Sequence, residues 1–263
     1  MQASESSGAD GVEIRTYFVR DRNALVTRGD FGDLFVDYYL HLSDHGLRHE
    51  PDVDQLLKDT LSAIVLHSAS RPWNETVAWT ISLQRPLLNL FAAADNRLSI
   101  VAGNLFTDNV KKNDSNLFYS DLVRGSEPNR RSVVTFEGGN IFRAVEEYYR
   151  QSEQRPARYF QLGDEDFVFV SAQPDCDVAW FDELDDDAIA VLDQTETLSL
   201  LETRRYQWQC GCSEEKLLPM LASAMKTDPA GLFGGEEAIR VSCPRCGALY
   251  VVTRLQMEEF GKS

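Results

Sequence analysis

Between residue 12 and about residue 173 the apolar positions of the chain keep changing period. Residues 24–29 read as a short strand, and Asp30 then opens a helical stretch carried by Leu34, Val36, Tyr38, Tyr39 and Leu42. Pro51-Asp52 starts a second helix, because proline suits the first helical turn and Val53, Leu56, Leu57, Leu61, Ile64 and Val65 follow at helical spacing. Three β-like runs come next, 76–83, 87–94 and 98–102. The turn material between them, Arg85-Pro86 and Asp95-Asn96, predicts an antiparallel meander.

Residues 108–131 are polar and read as a loop. A strand follows at 132–136, closed by Gly138-Gly139, and Asn140 is a good helix cap before Phe142, Val145 and Tyr149, which line one side of a helix ending near Gln154. Residues 159–162 and 167–171, separated by Gly163-Asp164-Glu165-Asp166, complete a last hairpin. Strands and helices mix without regular βαβ alternation, so the fold class is α+β.

The pattern changes after Pro174. Residues 175–202 carry ten acidic side chains and no basic one, interleaved with Trp180, Phe181, Leu184, Ile189 and Leu192. They read as a solvated acidic linker with an amphipathic helix after Asp187. Acidity extends to the whole chain: 42 Asp plus Glu against 26 Lys plus Arg give a net charge of −16, the wrong sign for a nucleic-acid binder. No apolar run approaches the ~20 residues of a membrane span. Residues 1–10 are polar and acidic, without the basic start and apolar middle of an export signal, which predicts a reducing, cytoplasmic setting.

In such a setting five cysteines do not make a disulfide scaffold. Four of them form two close pairs: Cys210-Gly211-Cys212, then 30 residues, then Cys243-Pro244-Arg245-Cys246-Gly247. Zn²⁺ prefers tetrahedral thiolate coordination at ~2.3 Å, and two such pairs joined by an intervening unit supply it. Gly247 can take the positive φ that turns backbone N–H groups toward the sulfurs. Around the pairs, Ser213 can cap a helix through Leu217, Leu218, Leu221 and Met225, with a kink at Pro219. Residues 240–243 and 248–252 are β-like, and Thr253-Arg254-Leu255-Gln256 is a capping box for a final helix. The predicted organisation is an α+β core domain at 12–173, an acidic linker at 174–207 and a small zinc-binding domain at 208–260. A four-thiolate site is closed to substrate, so one Zn²⁺ per reduced chain is a structural or redox element, not a Lewis acid.

The paired cysteines resemble those of the redox-regulated heat-shock protein 33 holdase chaperone family. A second likeness is the helix at 145–158, where Glu146-Glu147-Tyr148-Tyr149 precedes Ser152-Glu153-Gln154-Arg155-Pro156-Ala157-Arg158. The turn Phe136-Glu137-Gly138-Gly139 and the strand from Arg20 to Arg28 are similar too. The resemblance implies Cys210, Cys212, Cys243 and Cys246 as zinc ligands and switch. Oxidation would form a disulfide within each pair and release zinc, and the unfolded zinc domain and linker would expose apolar surface that holds unfolding client proteins without ATP. The chain departs from the family pattern at Leu83-Gln84-Arg85-Pro86-Leu87, at Val101-Ala102-Gly103-Asn104, and in a shorter linker.

Other candidates are weaker. His41, His45 and His49 share a spacing of four, but Gly46 and Pro51 make them a solvent-exposed helix end. His67 reads as a core-edge histidine. Cys176 lies between Asp175 and Asp177, which disfavour a thiolate, although an exposed cysteine there could bridge an oxidised homodimer. No phosphate-cradling loop, nucleophile elbow or dinucleotide fingerprint is present, so no enzymatic role is expected. The alternative to an oxidation-activated holdase is a protein-interaction module whose zinc is permanently structural.

Overall fold

The computed structural model describes residues 11–261, and in it the alternating stretches become one ten-stranded sheet. The chain opens with β1 (Val12–Val19) and β2 (Ala24–Asp30), followed by helices α1 (Gly32–Asp44) and α2 (Pro51–Ala69). Five strands come next: β3 (Glu75–Gln84), β4 (Leu87–Asp95), β5 (Ile100–Phe106), β6 (Asn116–Arg124) and β7 (Arg130–Phe136). Then α3 (Ile141–Tyr148) runs into a π-helical turn at Tyr149–Glu153, before the hairpin of β8 (Ala157–Gln161) and β9 (Asp166–Ala172). Three short helices follow, α4 (Val178–Glu183), α5 (Asp186–Ala190) and α6 (Leu192–Thr195), and lead to β10 (Leu198–Trp208). The remainder is α7 (Glu214–Thr227), α8 (Pro229–Phe233), a hairpin of β11 (Ala238–Ser242) and β12 (Leu249–Thr253), and α9 (Arg254–Phe260).

The sheet order is β7-β6-β3-β4-β5-β10-β1-β2-β9-β8. It consists of two antiparallel halves, and β10 is the seam. That strand pairs antiparallel with β1 along its length, but parallel with β5 only through Gln207↔Ile100 and Trp208↔Val101. Across the seam lies α2, whose last ten residues, from Thr60 to Ala69, are all buried. That end of the helix is buried on every side, and its polar members Thr60, Ser62, His67 and Ser68 lie inside the core with its leucines. Buried side chains add to the backbone bonds at its C-terminal carbonyls: Thr27 Oγ1 donates to Leu66 O at 3.2 Å, while Asn96 Nδ2 and Arg204 Nη1 donate to Ser68 O at 2.9 and 3.2 Å.

Both faces of the strands β2, β9 and β8 are covered. In β9, Phe167 and Phe169 point into the main core with α2, whereas Val168 and Val170 point the other way. The strand therefore reads as a continuous buried run. On that second face Val19, Val26, Phe160, Val168 and Val170 meet Phe181 of α4, Leu184 just after it, Ile189 of α5 and Leu192 of α6.

Three expectations change here. The polar stretch at 108–131 contains β6, whose Phe118 is fully buried against Trp79. The acidic stretch at 175–202 is not a solvated linker with one helix after Asp187: it forms α4, α5 and α6, whose apolar residues pack on the second sheet face, and its end belongs to the seam strand. Asp177 and Asp185 cap α4 and α5 by accepting from Trp180 N and Ala188 N. Acidic residues there meet the exposed backbone N–H groups of helix starts. Finally, His67 is not at the core edge but fully buried. The export-signal reading concerns residues outside those described. Among the described residues no helix is long and apolar enough to cross a membrane.

Candidate metal centre

Two elements of different origin deliver the cysteine pairs. Cys210 and Cys212 follow directly on β10, where Gln209 N donates to Val101 O at 2.9 Å and anchors the chain to the core sheet. Gly211 between them adopts φ +67°. Cys243 and Cys246 sit in the tight loop joining β11 to β12. There Gly247 N donates to Cys243 O and Cys243 N to Ala248 O, both at 2.8 Å, with Gly247 at φ +75°. A side chain at Gly247 would be strained, and its Cβ would lie 3.0 Å from Asn104 Oδ1 and 3.1 Å from Leu47 Cδ1. The loop thus presses on the core. The capping box at Thr253 and Gln256 is formed as expected and fixes α9 behind the hairpin.

All four Sγ atoms lie within 4.8 Å of one another. The Cys210–Cys243 and Cys212–Cys246 sulfurs are 3.7 and 3.5 Å apart. A tetrahedron with arms of ~2.3 Å has edges of about 3.8 Å, so the four sulfurs are positioned to bind a metal ion. Cys243 and Cys246 are buried, and Cys210 and Cys212 half-buried. Charge points the same way. Hydrogen bonds from the other thiols, Cys246 foremost, pull the Cys210 thiol down to about 5, and the same contact together with burial pushes Cys246 up. Four thiolates at this spacing require a cation to offset their repulsion.

The core contributes an aromatic and polar seat. His41 Nε2 lies 2.8 Å from the carbonyl oxygen of Cys246, and Asn104 Nδ2 donates to Pro244 O at 3.5 Å. The His41 ring lies between His45 and Trp208, tilted 56° to each, at centroid distances of 4.8 and 5.3 Å, and His45 is 6.0 Å from Tyr250. The Tyr250 hydroxyl in turn lies 3.1 Å from Cys212 Sγ. The helix end expected in solvent is thus half-buried under the cysteine loop, and burial lowers the basicity of both His41 and His49. The sequence marks His41 only as one of three evenly spaced histidines and does not mark Tyr250 at all, since no local pattern reveals a contact across 205 residues. Cys176 takes no part in the cluster; it is half-buried beside the second sheet face, and burial pushes its thiol up.

Comparison with known proteins gives a consistent result. The Hsp33 protein family matches residues 170–253, a span that holds the acidic segment, β10 and all four clustered cysteines. The 33 kDa chaperonin of Proteus mirabilis is 23% identical, covering 93% of this chain and 95% of its own length. That of Nitrosococcus oceani is 21% identical, covering 79% and 81%. Among solved structures, the 33 kDa chaperonin of Thermotoga maritima superposes with a TM-score of 0.72 at 15% identity, covering 96% of this chain and 98% of that one, and so shares the fold.

Proposed function

We propose that the chain is a chaperone of the Hsp33 family and that it is an ATP-independent holdase switched on by oxidation of a zinc centre. The observation that carries this reading is the tetrahedral spacing of Cys210, Cys212, Cys243 and Cys246. Sulfur-only tetrahedral sites favour zinc, and one ion per reduced chain would hold the ligands as thiolates. The core domain at 12–173, the acidic cover at 174–207 and the switch domain at 208–260 then have distinct tasks.

Peroxide supplies the oxidising equivalents. Each disulfide, Cys210–Cys212 or Cys243–Cys246, takes two electrons from two thiolates and reduces one peroxide to two waters, with two protons drawn from solvent. Sulfurs joined to each other no longer serve as anionic ligands, and a small domain stabilised by its metal loses its fold. β10 carries that loss into the core, because Cys210 follows its last residues. The acidic segment ahead of β10 then lifts off Val19, Val26, Phe160, Val168 and Val170. A groove of about 940 Å³ already opens beside that segment, lined by Tyr17, Val26, Val168, Ile189 and Leu192 among others, so the uncovered surface would be continuous. Hydrophobic contact is non-directional and suits many partly unfolded chains. A net charge of −16 keeps the complexes dispersed.

Aggregation of a thermally unfolding client, followed by light scattering with equal amounts of reduced and peroxide-treated protein, tests the reading while a chromogenic chelator reports zinc. Protection confined to the oxidised, zinc-free form is expected. Equal protection by both forms, or by neither, would leave the interaction module with permanently structural zinc.

A further inference from the structure

Along β12 the side chains alternate: Leu249 and Val251 are exposed, whereas Tyr250 turns toward the cysteines and Val252 is buried. Tyr250 packs against the cluster of Cys243, Cys246, Ala248 and Ala102, and its hydroxyl lies 3.1 Å from Cys212 Sγ. His45, from the end of α1, stands 6.0 Å from its ring on the core side.

We propose that Tyr250 is a positioning residue that restrains the oxidation of Cys212 by donating its O–H to the Cys212 sulfur. The inference rests on the redox reading above. A metal-held thiolate has no proton to give, so in this pair the phenol donates. The lone pair that receives this proton is the electron density with which sulfur attacks peroxide, and a hydrogen bond that stabilises the thiolate makes that attack slower. Groups just outside a metal's ligands commonly tune it in this way. The sulfurs otherwise contact one another, as in Cys210 with Cys243 and Cys212 with Cys246, or receive backbone N–H groups of the loop, Cys243 from Arg245 and Cys246, and Cys246 from Ala248; at Cys212 a side-chain hydroxyl joins them. Cys212 is also only half-buried, so burial alone does not protect it. Tyr250 supplies the restraint that packing does not.

The restrained step is the attack of Cys212 sulfur on a peroxide oxygen. An S–O bond forms, the O–O bond breaks, sulfur loses two electrons, and the departing hydroxide takes a proton from solvent. Cys210 thiolate then displaces hydroxide from the sulfenic sulfur to close the S–S bond. Tyr250 keeps its own proton throughout.

Tyr250→Phe removes the donor and keeps the ring. The full-length reduced, zinc-loaded protein is mixed with peroxide, quenched by alkylation at intervals and mapped by mass spectrometry, with zinc release read in parallel. Loss of free Cys212 should accelerate about tenfold, within what one hydrogen bond to a charged group commonly contributes. Fluorotyrosine at position 250, a stronger donor of the same shape, should slow it below the parent rate, a response that mere packing would not give. Equal Cys212 rates in the parent and Tyr250→Phe proteins, with zinc release intact, would overturn this proposal alone. A Tyr250→Phe protein that cannot hold zinc at rest would also overturn it, by making the residue a structural support. No peroxide-driven zinc release from the parent chain would instead sink the redox reading itself.

Discussion

Arg22, in the turn between β1 and β2, holds Asp177 at 2.7 Å, and Asp177 is the cap of the first helix of the acidic segment. The same guanidinium reaches Glu196, just past the last of those helices, at 3.1 Å, and lies 5.7 Å from the centre of the Trp180 ring. One core side chain therefore fastens both ends of the cover. Arg158 does the same in the middle, donating to the carbonyl of Leu184 and lying over Phe160.

Replacing Arg22 with alanine should loosen the cover without touching the cysteines. Limited proteolysis should cut within 174–197 faster than in the parent protein. High salt should bring the parent toward the variant, because partly exposed ion pairs are screened. Cleavage rates that neither the substitution nor salt changes would show the clasp to be idle.

Phe181 is the anchor of the same cover, 2% exposed against the second sheet face. Phe181→Ala removes packing worth about 3–5 kcal/mol at a buried site. Amide exchange over α4, α5 and α6 should accelerate, and the reduced protein should bind a hydrophobic dye. If exchange there is unaltered, these helices are held by something other than their apolar face.

His41 touches the loop of Cys243 and Cys246 through a backbone oxygen. His41→Ala should leave the far-UV spectrum intact and let a chelator strip metal from the reduced protein about two- to tenfold faster, the range one neutral hydrogen bond supports. An unchanged stripping rate would mean that the core seat does not steady the centre.

His67 links stability to pH. Its Nδ1 lies 2.6 Å from the Tyr149 hydroxyl, its ring is fully buried beside Trp79, and burial, with the charges of Arg71 and Arg155, holds its pKa well below the ordinary value of 6.5. Below pH 6.5 the unfolded chain protonates this imidazole while the folded chain does not. Its contribution is thus intact above 6.5 and is lost as pH falls toward the folded-state value, by at most ~1.4 kcal/mol per pH unit. Urea midpoints at pH 7.5 and 5.5 should differ more for the parent protein than for His67→Gln. Equal differences would assign the acid sensitivity to other groups.

What the sequence made legible was local. The cysteine pairs, the Asn140 cap and the Thr253 capping box each depend on residues a few positions apart, and all are found as spaced. β10 was hidden for two reasons. Its main partner, β1, lies nearly the whole chain away, and the register slips between Thr16 and Tyr17, so Leu198, Leu200 and Leu201 lose the two-residue alternation that marks a strand. The His41 seat was concealed by distance alone, because Gly46 and Pro51 mark a helix end correctly without saying what rests on it.

The position of β10 between β5 and β1 also dictates how the chain is made. β1 is the first of the described strands to be translated, yet its partner along Val12↔Tyr206 follows about 10–40 s later at ordinary elongation rates. Until Trp208 emerges, β1 and β5 both present unpaired edges of the kind that recruit other chains. The first cysteine of the centre follows two residues behind, so the nascent protein closes its own sticky seam and begins its metal site in the same moment of synthesis.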